Sequence, residues 1–583
     1  MGVERELKFA VSQATAQALP QHPLLLLDGA VRRRRLHTRY FDTEDLQLGA
    51  AGMVLRVRDS DGARVVTVKS RGDDALGAVR QEWEWATLDT APGPLPGPRD
   101  LRHALRQTAL AGLGLGEAQL RARLAPRFAT RFERSTWEIS WGDARIELAL
   151  DQGVCEAAAE GREVATELCE IELEVLQGSL LAAWDLAWTL AQDLPLRLSP
   201  VDKAWRAASL LRGQRPQAAP EPAPLAPDAS LQQAMRQWLQ TACAQLSVWA
   251  ERIGSADEAR DVHQFRVVLR RLRTALRWLQ GQLPRGAANW LRGELRWAHQ
   301  LAGPLRDADV ALDLLGRADV AGPASAAQAR ALREQLAQQR ARQRDALLAY
   351  LQGARFGRLL LALGRCAECE LRGAHGGAAL RRLAAQALRQ DARRWHEALR
   401  ECEAWLREAL LAPRPAGEQA ARLHALRIAS KQLRLSTERM AGVLPRKQRR
   451  DFAQQGRLAT TLQNRLGEWH DAERLLQHAR EHQPRARQLQ SWLEQQASQA
   501  LQGAAQAACP PPRSAKPRLP QQPPAAAVGP AEPVEAVEPA EPPLLDESTA
   551  APAESLQAVS EAAPIPPAEA SLQALAQEQE QGA

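Results

Sequence analysis

Glu4, Glu6 and Lys8 lie two residues apart, opposite Leu7 and Phe9, which is the spacing of a strand with charge on one face. The pattern returns along the first 200 residues. Arg56 and Arg58 are backed by Leu55 and Val57, and Lys69 ends a valine-rich run. Arg80, Glu82 and Glu84 alternate with Trp83 and Trp85, and Arg145, Glu147 and Asp151 with Ile146, Leu148 and Leu150. Glu170, Glu172 and Glu174 alternate with Ile171, Leu173 and Val175. Carboxylate oxygens are the ligands that hard divalent cations take, and guanidinium forks match phosphate oxygens. One such strand alone reads as half-buried with a solvated face. Three carboxylates at i, i+2 and i+4 repel one another unless cations sit between them. A closed antiparallel barrel with a charged interior holding a metal ion and an anion resolves that conflict.

Lysine usage points the same way. Of 76 basic residues, only Lys8, Lys69, Lys203, Lys431, Lys447 and Lys516 are lysine. Two of them fall on the charged strand faces and Lys203 follows just after. A compact, rotatable ammonium is a reason to keep lysine there.

Charge divides the 583 residues into three regions. Residues 1–213 hold 27 basic and 30 acidic side chains (27 − 30 = −3), and residues 214–503 hold 46 and 28 (46 − 28 = +18). The remainder from 504 holds 3 and 11 (3 − 11 = −8), which brings the chain to +7. A block that basic attracts polyanions. Prolines crowd into 216–227, a linker expected over 213–229, and again beyond Pro510. The Ala/Pro/Glu-rich tail, 504–583, is expected to be disordered. No run of about eighteen apolar residues suits a bilayer, and the charged N-terminus has no apolar signal core, so no membrane association is expected. Seven scattered cysteines do not form a disulfide framework, which suggests the cytoplasm. Cys366 and Cys369 read as helix neighbours one turn apart rather than a zinc or redox motif.

The basic region, 230–503, is rich in helix formers and internally duplicated, with copies near 230–360 and 380–503. His263-Gln-Phe-Arg-Val-Val-Leu-Arg-Arg-Leu-Arg273 returns as His424-Ala-Leu-Arg-Ile-Ala-Ser-Lys-Gln-Leu-Arg434. Gly303-Pro-Leu-Arg-Asp-Ala-Asp309 returns as Gly467-Glu-Trp-His-Asp-Ala-Glu473. His263, Arg266, Arg270 and Arg273 share one helical stripe, as do His424, Arg427, Lys431 and Arg434. The first stripe has no acidic residue at i+4, so a polyanion is its natural partner. Asp307 and Asp471 are expected to tie Arg or His neighbours. Trp238, Trp249, Trp278, Trp290 and Trp297 fit a helical core better than a stacking platform.

The N-terminal motifs together resemble the CYTH family, the triphosphate tunnel metalloenzymes. They comprise Glu4-x-Glu6-x-Lys8, Arg56-x-Arg58, Lys69, Arg80-x-Glu82-x-Glu84, Arg134, Glu147 with Asp151, Glu170-x-Glu172-x-Glu174 and Lys203. That resemblance, over residues 1–212, implies an eight-stranded antiparallel β-barrel tunnel that binds triphosphate with Mg²⁺ or Mn²⁺. It makes Glu4, Glu6, Glu170, Glu172 and Asp151 the expected metal ligands, with Lys8 beside Glu4 and Glu6 in the catalytic set. Lys8 orients the water, or deprotonates it if its pKa is depressed. Arg56, Arg58, Lys69, Glu82, Glu84, Arg134 and Lys203 are the expected substrate contacts.

The helical half resembles the CHAD domain, which implies two four-helix bundles around a basic groove that binds inorganic polyphosphate through the two stripes. The fold expected is thus multidomain α+β: barrel, duplicated helical bundles, tail. The activity expected is metal-dependent hydrolysis of inorganic triphosphate to pyrophosphate and phosphate. The alternatives are a class IV-type adenylate cyclase, a thiamine triphosphatase, and a non-catalytic polyphosphate-binding protein. Nucleic acid is less favoured as a partner because no aromatic-interleaved basic patch is present.

Overall fold

A computed structural model describes residues 2–508, apart from 28–30, 61, 73, 90–94, 160–161, 213–214, 222–223, 319–322, 372–376 and 409–416. The tail expected from 504 lies outside the described residues from 509 onward, and the last helix continues to Ala508.

Eight strands form the N-terminal unit: β1 (Gly2–Ala10), β2 (Arg32–Asp42), β3 (Met53–Ser60), β4 (Ala63–Ser70), β5 (Val79–Ala86), β6 (Ala125–Trp141), β7 (Ala144–Ala159) and β8 (Arg162–Gln177). Their order is β5-β4-β3-β2-β6-β7-β8-β1, and β1 pairs back with β5 to close an antiparallel barrel. The two-residue strand Arg197–Leu198 adds to β1. Closure removes the free edges, and the pleat sends alternate side chains inward.

The outer faces of the strands are as dry as a core. Leu7, Phe9, Leu148, Ile171 and Leu173 pack under the helix Leu180–Leu190. Leu55, Val57, Val66 and Val68 pack under the helices Pro98–Gln107 and Glu117–Arg123. With helices outside, the charged faces point into the lumen, which explains why carboxylates and guanidiniums occupy positions a solvated sheet would give to Thr or Ser.

The second unit is two sets of antiparallel helices. The first holds Leu231–Ser255, Ala259–Trp278, Arg285–Arg317 and Pro323–Gln352; the second holds Gly377–Glu408, Glu418–Met440, Arg446–His482 and Arg487–Ala508. Ser230 caps the first helix in a capping box with Gln233. Trp238 and Trp278 are buried and tilted against each other, while Trp249, Trp290 and Trp297 pack on the same core. Burial pushes the Cys366 thiol up to about 12 and raises Cys369 as well, which disfavours the thiolate form of the CxxC at the end of the helix Ala354–Glu368.

Barrel and bundle share one hydrophobic core. The helix Ala354–Glu368 offers Gly357 and Gly364, seven residues apart on one face, to the barrel unit. A Cβ at Gly364 would sit 2.3 Å from the Trp184 ring, and one at Gly357 would sit 2.1 Å from the Leu196 carbonyl oxygen. Arg365 adds a 2.6 Å ion pair to Asp185. The proline-rich linker is pinned as well: Arg215 bonds Asp261 at 2.6 Å, Gln245 bonds the Ala219 carbonyl at 2.9 Å, and Arg439 bonds Glu221 at 2.7 Å. Gly364→Leu is expected to cost about 1–3 kcal/mol by overpacking this seam. Thermal unfolding would show it as a lower or split transition.

Candidate functional site: a charged barrel lumen and two basic helical stripes

Strand register brings the charged residues together. Glu6 faces Glu174, Lys8 faces Glu172 and Ala10 faces Glu170 across β1 and β8. Glu4 faces Arg80 across β1 and β5, and Lys69 faces Glu82 across β4 and β5. Asp151 lies between Arg134 on β6 and Glu170 on β8. Glu4, Glu6, Lys69, Asp151, Glu170 and Glu172 are all buried.

These side chains form linked ion pairs. Lys69 reaches Glu4 at 2.5 Å and Glu82 at 3.3 Å, and Lys8 reaches Glu6 at 2.6 Å. Arg134 makes a fork to Asp151 (2.7 and 2.6 Å) and also bonds Glu172. Lys203 begins the helix Lys203–Arg212, which covers this part of the lumen, and its ammonium meets Asp151 at 2.7 Å, Glu172 at 2.8 Å and Glu170. Arg56 pairs with Glu82 at 3.4 Å, and Thr67 donates to Glu84 at 3.1 Å.

Two groups of atoms are left uncompensated. Glu4 Oε2 and Glu170 Oε2 are buried without a hydrogen-bond partner, and Asp151, Glu170 and Glu172 place oxygens within 4.8 Å of one another. Burial pushes the Glu170 carboxyl up despite Lys203. Burial also works against the charge on Glu172, but Lys203, Arg134 and Lys8 hold it well below the usual carboxylate range. An all-oxygen donor set with spare buried lone pairs fits a hard divalent cation. The opposite excess lies on β3. Arg58 makes no ion pair among the described residues, and its Nε is buried without a partner. Arg56, burial and Arg134 lower its pKa to about 10. A guanidinium without a matching carboxylate, close to Arg56 and Arg134, is suited to a multiply charged anion.

Lys8 departs from one expectation. Burial opposes its charge, yet Glu6 and Glu172 outweigh burial and hold the ammonium above the usual lysine range. That direction is opposite to the depression that would favour proton abstraction by this amine.

In the helical unit, the stripe residues are not on a solvated face. Arg266, Arg270, Arg427 and Arg434 are buried, and His263, Arg273, His424 and Lys431 are half-buried. Arg266 donates to the His299 carbonyl at 2.7 Å. The two copies meet where Arg474 bonds Asp307 at 2.9 Å, and within the second copy the His424 and His470 rings lie 5.2 Å apart. Burial, Arg427 and His424 push the His470 imidazole down to about 3, while burial holds the Asp471 carboxyl well above its ordinary range. Asp307 thus ties an arginine as expected, and Asp471 lies beside Arg427 and Arg306.

Comparison with known proteins matches residues 2–208 to the CYTH domain and residues 237–480 to the CHAD domain. The chain carries a CYTH domain followed by a CHAD domain. A curated relative, the inorganic triphosphatase of Haemophilus influenzae, is 28% identical over 204 residues, which is 35% of this chain and 53% of that protein. The chain thus spans about half the length of that relative. Among solved structures, the CHAD domain of Ricinus communis is 22% identical, with a TM-score of 0.38 over 51% of this chain and 95% of that one. A Hippeastrum protein, described as an adenylyl cyclase with dominant triphosphatase activity, is 17% identical, with a TM-score of 0.26 over 36% of this chain and 96% of that one.

The CYTH barrel brings Glu4, Glu6, Lys8, Arg56, Lys69, Glu82, Arg134, Asp151, Glu170, Glu172 and Lys203 into linked ion pairs, leaves Arg145 exposed on Glu138, and assigns partners that spacing alone does not give. Arg134 and Lys203 bond carboxylates in this structure, although a phosphate contact was expected of each. Two lumen groups were missed as site residues. Asp202 holds Arg80 at 3.0 Å. Burial, then Glu4 and Glu6, raise the Glu174 carboxyl to about 7. The i, i+2, i+4 run marked Glu174, whereas nothing but adjacency to Lys203 marked Asp202.

A raised carboxyl pKa has a definite sign in the pH dependence. Folded Glu174 keeps its proton where the unfolded chain has lost it, so its contribution is full below about 4.5 and is lost as pH rises through about 7. The metal-free protein is expected to melt at a higher temperature at pH 5.5 than at pH 8. Glu174→Gln should flatten that slope in calorimetry.

Proposed function

We propose that the CYTH barrel hydrolyses inorganic triphosphate with Mg²⁺ or Mn²⁺, releasing pyrophosphate and phosphate, and that the CHAD domain binds inorganic polyphosphate. The observation that carries the first reading is the split of the lumen into spare buried carboxylate oxygens at Glu4 and Glu170 and a surplus guanidinium at Arg58. A cation and a polyanion bound together satisfy both. The similarity to an inorganic triphosphatase supports it.

In this reading Glu4, Glu6, Glu170, Glu172 and Asp151 would hold the metal, and Asp151 also bonds Arg134 and Lys203. The ion, when bound, neutralises phosphate charge and polarises the P–O bond. Arg56 and Arg58 fork onto phosphate oxygens, Lys69 approaches from β4, and Lys8 presents a fixed positive charge. Glu82 and Glu84 hold Arg56, Lys69 and Thr67 in place. Phosphoryl transfer needs mainly such positioning and charge neutralisation. A screen of phosphate release from triphosphate, ATP, thiamine triphosphate and long polyphosphate tests this. Triphosphate should give the highest kcat/KM; cyclic AMP from ATP would instead favour the cyclase reading.

For the CHAD domain, the support is the +18 charge of its region together with four buried arginines on matched helices. Long-chain polyphosphate binding should weaken about 10-fold or more in Arg427→Met, consistent with loss of a charge-assisted contact. Unchanged affinity in a titration would remove the stripes from the reading.

A further inference from the structure

One cluster outside both sites has the chemistry of a different metal. His478, Glu481 and His482 occupy the last turn of the helix Arg446–His482, at i, i+3 and i+4, on one face. Each offers a ligating atom within 4.8 Å of the other two, and the imidazole rings are 4.1 Å apart.

Three further details fix these side chains as ligands are usually fixed. His482 Nδ1 lies 3.0 Å from the His478 carbonyl oxygen. A carbonyl can only accept, so Nδ1 carries the proton and Nε2 presents its lone pair outward. His478 Nε2 is buried and has no hydrogen-bond partner. Gln477 donates to Glu481 Oε1 at 3.0 Å, which orients that carboxylate and leaves Oε2 for another partner. Arg480, the cation next in sequence, is engaged with Glu494 at 2.8 Å on the following helix.

The geometry points to a surface site for a borderline transition-metal ion of the Zn²⁺ or Ni²⁺ class, held by His478, Glu481 and His482. Two imidazole nitrogens select such an ion over Mg²⁺, whose preference is for oxygen. Three protein ligands at an exposed helix end leave coordination positions open to solvent. A cation there also meets the negative end of the helix dipole. It would clamp the last turn before the chain reverses into the helix Arg487–Ala508. The site is independent of the triphosphatase reading, because it shares no residue with the barrel.

Calorimetric titration of the full chain with Zn²⁺ in excess Mg²⁺ tests this, using Glu4→Gln/Glu170→Gln as background so that the barrel does not compete. One equivalent of Zn²⁺ should bind, and His478→Gln or His482→Gln should weaken that event by about 10–100-fold. Cu²⁺ substituted at the site should show two-nitrogen coordination by electron paramagnetic resonance, lost in the double histidine variant. Glu481 and His482 are exposed and His478 is half-buried at the helix end, so helicity by circular dichroism should not change. Equal Zn²⁺ affinity and stoichiometry in the double variant would overturn the site, as would the absence of any Zn²⁺ event in the parent.

Discussion

Glu170→Gln is expected to lower kcat for triphosphate by about 10²–10³-fold, the scale seen when one preorganised electrostatic group is removed from a reacting centre. The same change should leave the metal-free melting temperature unchanged or raise it. Glu170 is buried with an unpartnered oxygen, and burial already pushes its carboxyl up. An amide carries no charge to desolvate. Lys203 is not orphaned by the substitution, since Asp151 at 2.7 Å and Glu172 at 2.8 Å remain. Activity and stability therefore move apart. A residue with a merely structural role would lose both together, and steady-state kinetics beside calorimetry reads the difference.

Arg58→Met is expected to raise KM for triphosphate by about 10–100-fold, the equivalent of one or two charge-assisted hydrogen bonds. Its effect without substrate has the opposite sign. Arg58 is crowded by Arg56 and Arg134, so removing its charge relieves repulsion and should raise the melting temperature. Triphosphate should then stabilise the variant less than it stabilises the parent, because ligand stabilisation follows affinity. A normal KM with a lowered melting temperature would mean that Arg58 supports the barrel wall rather than a phosphate.

Much of the lumen was legible because a strand has a period of two. Once Glu4, Glu6 and Lys8 share a face, closure of the sheet sets Glu4 against Arg80 on β5 and sets Glu6 and Lys8 against Glu174 and Glu172 on β8. Periodicity cannot say which cation meets which acid. Lys203 comes from a helix after the barrel, and its contacts with Asp151 and Glu172 depend on how that helix closes the lumen. The helical half shows a similar limit. The stripes at Arg266 and Arg427 are clear at helical spacing, but their burial depends on how the two copies pack. The seam at Gly357 and Gly364 was invisible in sequence, since two glycines in a helix acquire meaning only beside Leu196 and Trp184. His478 and His482 were overlooked for a plainer reason: no repeat or charge pattern marks them.

The central claim is that one lumen holds a divalent ion against carboxylates and a triphosphate against guanidiniums. Crystals of the Glu170→Gln variant grown with Mn²⁺ and triphosphate, measured at the manganese absorption edge, test it directly. The account predicts an anomalous peak beside Glu4, Glu6 or Glu172, with phosphate density reaching Arg56 and Arg58. Triphosphate density only on the outer surface, with an unoccupied lumen, would contradict it.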